Sequence, residues 1–335
     1  MIKFSSLIIL FLLPLISLQA RDFKTYTIPG AVCGNGMPYK VWVDTENVDS
    51  EKLAVEFMGG GACWSVSTCY GPNLRAWVHP LPKLVSKMNI MVKKGSPLEN
   101  HSVLYFPYCT ADVFAGNHKA RYRLKSKVHH KGYSNIQKTI DYLQRKKVIN
   151  FKALNDIVLY GSSAGGIGSL LHSVTFDKIV PKEAKRTIIS DSPGLHFGIR
   201  FWNKFTSRTL KDFKSAFRKV GLNLSDENGM IAPQMPKVCK NLAHWNIGVL
   251  QGARDFVMST IFGNISAKDH RALVYSRRGI LSVTNEVRNC SAWAPDSRLH
   301  AFMLFPESAA TEAAGVSALD YATEIYEGRT DINYR

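Results

Sequence analysis

The chain has 335 residues, 45% hydrophobic and 21% charged, with 43 Lys and Arg against 26 Asp and Glu for a formal net charge of +17. That composition excludes a disordered or low-complexity protein and leaves room for one large domain with a buried core. The positive charge invites an acidic partner, but no helix-turn-helix, zinc-finger or RNP-like pattern accompanies it, so nucleic acid is not expected.

The first element in chain order is a leader. Lys3 precedes an apolar run from Leu7 to Leu18 that closes on Gln19-Ala20, the pattern of an export signal. The run is shorter than the ~20 apolar residues of a membrane span, and no later stretch approaches that length. Residues 1–20 are therefore expected to be removed. Residues 21–335 should form a single domain, secreted or periplasmic, without stable membrane insertion. Cys33, Cys63, Cys69, Cys109, Cys239 and Cys290 all lie in that part. An even number in an exported chain points to disulfides; spacing alone does not choose the pairs, and it is unlike a zinc site, so no metal is expected.

Short apolar, β-branched runs then recur, predicting strands over Leu53–Met58, Val103–Pro107, Ile157–Tyr160, Thr187–Ser190 and Ile247–Gln251. With helical or loop material between them, they predict an α/β fold with a mostly parallel central sheet flanked by helices. Polar residues and glycines gather just past the strand ends, where open α/β sheets bind ligands. Ile136, Ile140, Leu143 and Val148 predict an amphipathic helix over 135–148, a crossover into the third strand. The stretch from Arg121 to Val128 alternates basic with mainly apolar or small residues. As one strand it would set four cations on one face, to hold an acidic polymer or to guard a sheet edge. Residues 194–244 interleave Phe201, Trp202, Phe205, Phe213 and Phe217 with Arg and Lys, and form either a cap insertion over the site or ordinary amphipathic helices.

The sharpest motif is Gly161-Ser162-Ser163-Ala164-Gly165, which follows the predicted strand directly and opens a predicted helix. A strand running into G-x-S-x-G is a nucleophile elbow, with Ser163 at its exposed apex and only small side chains tolerated beside it. Attack by a serine creates an oxyanion that needs backbone N–H donors. Gly59-Gly60-Gly61-Ala62-Cys63-Trp64 follows the first predicted strand and can supply them, so Gly60 and Gly61 are expected to act with the N–H of Ala164.

A serine hydroxyl also needs a histidine base oriented by a carboxylate, in the chain order Ser, acid, His. Asp255, just past the fifth predicted strand, is the expected acid, and Asp191, past the fourth, is its rival. His300 is the expected base, on a loop leading into a helix. His270, in a polar stretch only fifteen residues after Asp255, is expected at the surface.

With these motifs the chain resembles the pectin acetylesterase family, which includes the Notum-type carboxylesterases. The matching stretches are Gly59 to Trp64 with Cys69, Pro107 to Asp112 with Gly116, Lys131 to Asn135, and Gly161 to Gly166. The resemblance implies an α/β-hydrolase-like fold, no cofactor, a Ser-Asp-His triad, and substrate-binding roles for Trp64 and Asp112. It also implies disulfides Cys33–Cys109 and Cys63–Cys69, leaving Cys239 with Cys290. One departure is that plant members carry Gly-Trp-Cys where this chain has Gly61-Ala62-Cys63-Trp64. The expected activity is hydrolysis of O-acyl, chiefly acetyl, esters on a polysaccharide or another small acyl ester, with an acidic polymer held on the basic surface. The alternatives are a carboxylesterase that removes a longer acyl chain from lipid or protein, and a non-catalytic polyanion-binding protein.

Overall fold

The computed structural model describes residues 21–45, 49–70, 90–122, 127–225 and 228–335; the predicted leader lies outside them. In chain order the described strands of three residues or more are β1 (Lys24–Val32), β2 (Pro38–Asp44), β3 (Asp49–Phe57), β4 (His101–Phe106), β5 (His118–Arg121), β6 (Lys127–His130), β7 (Asp156–Ser162), β8 (Lys185–Asp191), β9 (His196–Ile199), β10 (Asn228–Met230), β11 (Asn246–Leu250) and β12 (Cys290–Trp293). Eight of them form one sheet in the order β1-β2-β4-β3-β7-β8-β11-β12. From β4 to β12 every neighbour is parallel, while β1 and β2 add an antiparallel edge.

Every residue of β4 and β7 is buried. Strands covered on both faces read as continuous apolar runs, which is why the five predicted strands coincide with β3, β4, β7, β8 and β11. The three sheet strands without a clear sequence signal lie at the margins. In β1 and β2 exposed polar residues break the apolar pattern, and β12 has four residues.

The helices of eight residues or more are α1 (Gly132–Arg145), α2 (Ala164–Phe176), α3 (Ser207–Lys219), α4 (Ala267–Val274) and α5 (Ala318–Glu327). α1 buries Ile136, Ile140 and Leu143 on one face, as their spacing predicts. α2 is buried almost throughout and packs on β3, β7 and β8. Among the described residues no helix is long and apolar enough to cross a membrane. The chain leaves the sheet after β8 and returns at β11; this excursion carries the β9–β10 pair and α3. The disulfides are Cys33–Cys109, Cys63–Cys69 and Cys239–Cys290, the pairs the resemblance implies.

Two expectations need correction. The stretch from Arg121 to Val128 is not one strand: β5 and β6 pair antiparallel with Arg121 opposite Lys127, and the predicted strand's residues 123–126 lie outside the described ones. His270 is fully buried rather than at the surface. Its polar stretch is the amphipathic helix α4, in which His270 and Val274, one turn apart, form the inward face.

Burial also keeps several histidines neutral. Desolvation lowers His130 and His172 from 6.5 to about 4, and it lowers His196 and His270 as well. Between pH 6.5 and 4 the unfolded chain therefore binds more protons at these sites, and the stability present above 6.5 is lost as the pH falls. Burial raises Asp112 from 3.8 to about 6 and raises Asp191, which act in the opposite sense, but four histidines outnumber two carboxyls. The melting temperature is expected to fall steadily from pH 6.5 to 4 in calorimetry; a flat profile there would contradict neutral burial.

Candidate active site

Ser163 sits where β7 gives way to α2, with φ 59° and ψ −124°, a conformation that costs a non-glycine residue on the order of 1–3 kcal/mol. Its surroundings fix that bend. Its N–H donates to the Asp191 carbonyl at 2.8 Å. A Cβ on Gly161 or Gly165 would strike the Phe57 carbonyl at the end of β3, so the glycines let the turn lie against the neighbouring strand. The preceding hydroxyl, Ser162 Oγ, points into the body and donates to Asp191 Oδ2 at 2.6 Å. Ser163 instead lines a cavity of about 60 Å³.

The glycine run after β3 lies directly beside this bend: a Cβ on Gly59 would come within 2.6 Å of the Ser162 carbonyl and 3.2 Å of Ser163 Cβ. Gly60 rests on the ring of Tyr108, which leaves no space for a side chain. The Tyr108 hydroxyl donates to the Gly61 carbonyl at 2.6 Å and accepts from the Val113 N–H at 2.8 Å. Because a trans peptide sets C=O and N–H on opposite sides, holding the Gly61 carbonyl on Tyr108 turns the Ala62 N–H the other way. Gly61, Ala62 and Ala164 all line the cavity with Ser163, whereas Gly60 does not. Ala62, which the sequence did not single out, thus turns its N–H away from the buried Tyr108, whose hydroxyl fixes that peptide.

His300 Nδ1 is hydrogen-bonded to Asp255 Oδ2 at 2.8 Å, with the His300 side chain 15% exposed and that of Asp255 fully buried. Gln251 Nε2 donates to the same Oδ2 at 3.2 Å, and the Met258 N–H donates to Oδ1 at 2.9 Å. Gln251 follows β11 immediately and was not singled out from sequence; a polar residue ending an apolar strand four positions before the acid is the signal that could have found it.

Asp191, the rival acid, is occupied differently. Its Oδ2 accepts from Ser162 Oγ and from the Met303 N–H at 3.0 Å, and its Oδ1 from Ser192 Oγ at 3.0 Å. The Ala301 N–H in turn donates to Ser192 Oγ at 3.2 Å. The backbone donors after His300 thus go to the end of β8 rather than into a helix, and the next helical turn starts only at Pro306. His270 Nδ1 pairs with the Ala253 carbonyl at 2.8 Å, supporting the loop that carries Asp255.

The cavity wall is almost entirely apolar. The excursion after β8 contributes Phe197, Phe201, Trp202, Phe205, Phe213 and Phe217, and the π-helical turn Val257–Gly263 adds Met258 and Phe262. Trp64 stands behind this wall, edge-on to Phe205 and Phe262 at 5.7 Å each, rather than on it. Lys204 Nζ lies 4.3 Å from the Phe201 ring centre and 4.9 Å from that of Trp64, and donates to the Phe262 carbonyl, so one cation ties three segments of the wall together. Burial lowers Lys204 from 10.5 to about 8.

Asp112, expected from the resemblance to bind substrate, is fully buried and does not line the cavity. Its Oδ1 accepts from Thr110 Oγ1 at 2.7 Å and its Oδ2 from the Gly132 N–H at 2.7 Å, which caps the start of α1 from a distant loop. Gly116 and Gly132 have no room for a Cβ because this carboxyl fills the space. Motif residues around Asp112 thus serve a helix cap. Asp112→Asn, which sets an amide donor among donors, is expected to cost about 1–3 kcal/mol of stability. Urea unfolding should register that loss while KM for a small ester stays unchanged; a raised KM with intact stability would return Asp112 to the site.

Comparison with curated proteins gives no match. The family model described as pectinacetylesterase matches residues 19–241, which span the glycine run, the Tyr108 to Asp112 loop and the Ser163 bend but end before Asp255 and His300. That match covers most of the chain, and the eight-stranded, mostly parallel sheet with flanking helices agrees with the α/β-hydrolase-like fold. The chain belongs to the pectinacetylesterase family and is a carboxylic ester hydrolase.

Proposed function

We propose that the chain is an exported acetylesterase acting on acylated polysaccharide, with Ser163 as nucleophile, His300 as base and Asp255 as acid. The observation that carries this reading is the strained Ser163 at the mouth of a β-strand, lining an apolar cavity together with Gly61, Ala62 and Ala164. The hydrogen bond between His300 and Asp255 supports the assignment of base and acid, since Asp191 spends both carboxyl oxygens on other donors.

In the proposed reaction Ser163 Oγ attacks the acyl carbonyl while His300 takes its proton. The N–H groups of Gly61, Ala62 and Ala164 receive the oxyanion. His300 then returns the proton to the leaving sugar oxygen, and water, activated by the same imidazole, releases the acid from the acyl-enzyme. Buried Asp255 steadies the imidazolium, itself held in place by Gln251 and the Met258 N–H. The three disulfides suit an oxidising compartment, in keeping with export. Residues 194–244, which supply most of the cavity's aromatic wall, act in this reading as a cap.

A second reading, cleavage of a longer acyl chain, is favoured by the size of the cavity: about 60 Å³ of apolar space holds roughly four water-sized groups, more than an acetyl methyl fills. Comparing kcat/KM for aryl acetate and aryl octanoate decides between the two.

A fluorophosphonate is expected to label Ser163, and Ser163→Ala to remain folded without turnover. Asp255→Asn should lower kcat by about ten-thousand-fold, as expected when the imidazole loses its orienting carboxylate. Asp191→Asn should chiefly lower the melting temperature; a larger kcat loss there than in Asp255→Asn would exchange the two roles. Labelling at a different residue would end the reading altogether.

A further inference from the structure

The outer face of α3 carries three cations that form no ion pair among the described residues. At about 100° per residue Arg208, Lys211 and Arg218 fall on one side of the helix, opposite Thr209, Phe213, Ala216 and Phe217. All three are exposed, and among the described residues none has an acidic partner. Asp212, the helix's only acid, lies one turn from Arg208 but is engaged on its other side: its Oδ2 accepts from the Asn117 N–H at 2.5 Å and lies 2.7 Å from His118 Nδ1. That contact pins α3 to the β5–β6 hairpin, where Arg121 stands directly across from Lys127 and both are exposed. Like charges opposed on neighbouring strands are destabilising, so stability alone gives no reason for the arrangement.

From these observations we infer that the outer face of α3, continued onto the β5–β6 hairpin, is a docking strip for a linear, carboxylate-bearing polysaccharide, the polymer whose esters the cavity receives. The inference rests on the esterase reading. Phe213 and Phe217 on the inner face of the same helix line the cavity that Ser163 also lines, so a polymer held outside is separated from that cavity by about one helix diameter, 10–12 Å. Arg208 to Arg218 spans about 15 Å of helix, enough to meet several uronate units in a row. A membrane surface fits less well. No large exposed apolar side chain lies in Ser207–Lys219, and the helix's apolar face is already buried in the protein.

The test is binding, which does not require turnover. Titration of polygalacturonate into the wild-type protein and into the triple variant Arg208→Gln, Lys211→Gln, Arg218→Gln is followed by calorimetry over a range of NaCl concentrations. The expected result is affinity about tenfold weaker in the variant, with a shallower salt dependence, while 4-nitrophenyl acetate turnover is unchanged. Equal affinity in the two proteins overturns the inference, and so does an equal loss of binding to neutral acetylated xylan. Strip-dependent binding to phosphatidylserine vesicles without binding to polygalacturonate would also overturn it, in favour of a membrane. In each of those cases the cleavage of 4-nitrophenyl acetate reports separately on the esterase reading.

Discussion

Asp191 joins the backbone segments on which the site depends. Its carbonyl receives the Ser163 N–H, one carboxyl oxygen receives Ser162 Oγ and the Met303 N–H, and the other receives Ser192 Oγ. The bend at the end of β7 and the loop that carries His300 are therefore fastened to the last residue of β8. A carboxyl buried this completely is expensive unless its hydrogen bonds are made, and here both oxygens are engaged. Loss of the carboxyl itself would loosen two segments at once, because both the Ser162 hydroxyl and the Met303 N–H end on it.

The parallel strands were legible because burial on both faces leaves only apolar residues, and the Ser163 bend because its steric demands admit few side chains. Asp255 and His300 could be selected from chain order and strand ends, since topology delivers them to the same edge of the sheet. The rest was hidden for physical reasons. A fully buried His270 reads as polar because one apolar neighbour per turn is enough to seat a short helix. The cap formed by Asp112 joins residues twenty positions apart, and no local pattern distinguishes such a carboxyl from one that faces substrate. Tyr108 acts on a loop 47 residues earlier through a single hydroxyl, so its part in orienting the Gly61 peptide is visible only once the two are adjacent.

The excursion after β8 combines two surfaces in one stretch of chain. Its interleaved aromatic and basic residues, read along the sequence, separate in space: the rings turn inward to make the cavity wall, and most of the cations turn outward on α3. Lys204 is the exception, half-buried against Phe201 and Trp64, where its charge interacts with ring faces instead of solvent. An aromatic wall held partly by cation–π contacts can be retuned by changing a few side chains without disturbing the sheet.

The positive φ at Ser163 also limits how this position can vary over evolutionary time. Threonine carries the same hydroxyl, but its branched Cβ is poorly accommodated at such a backbone angle, so the added methyl group alone would bar the exchange. Cysteine, unbranched and of similar size, meets no such barrier. The set of residues open to this position is thus narrowed by backbone geometry before reactivity is considered.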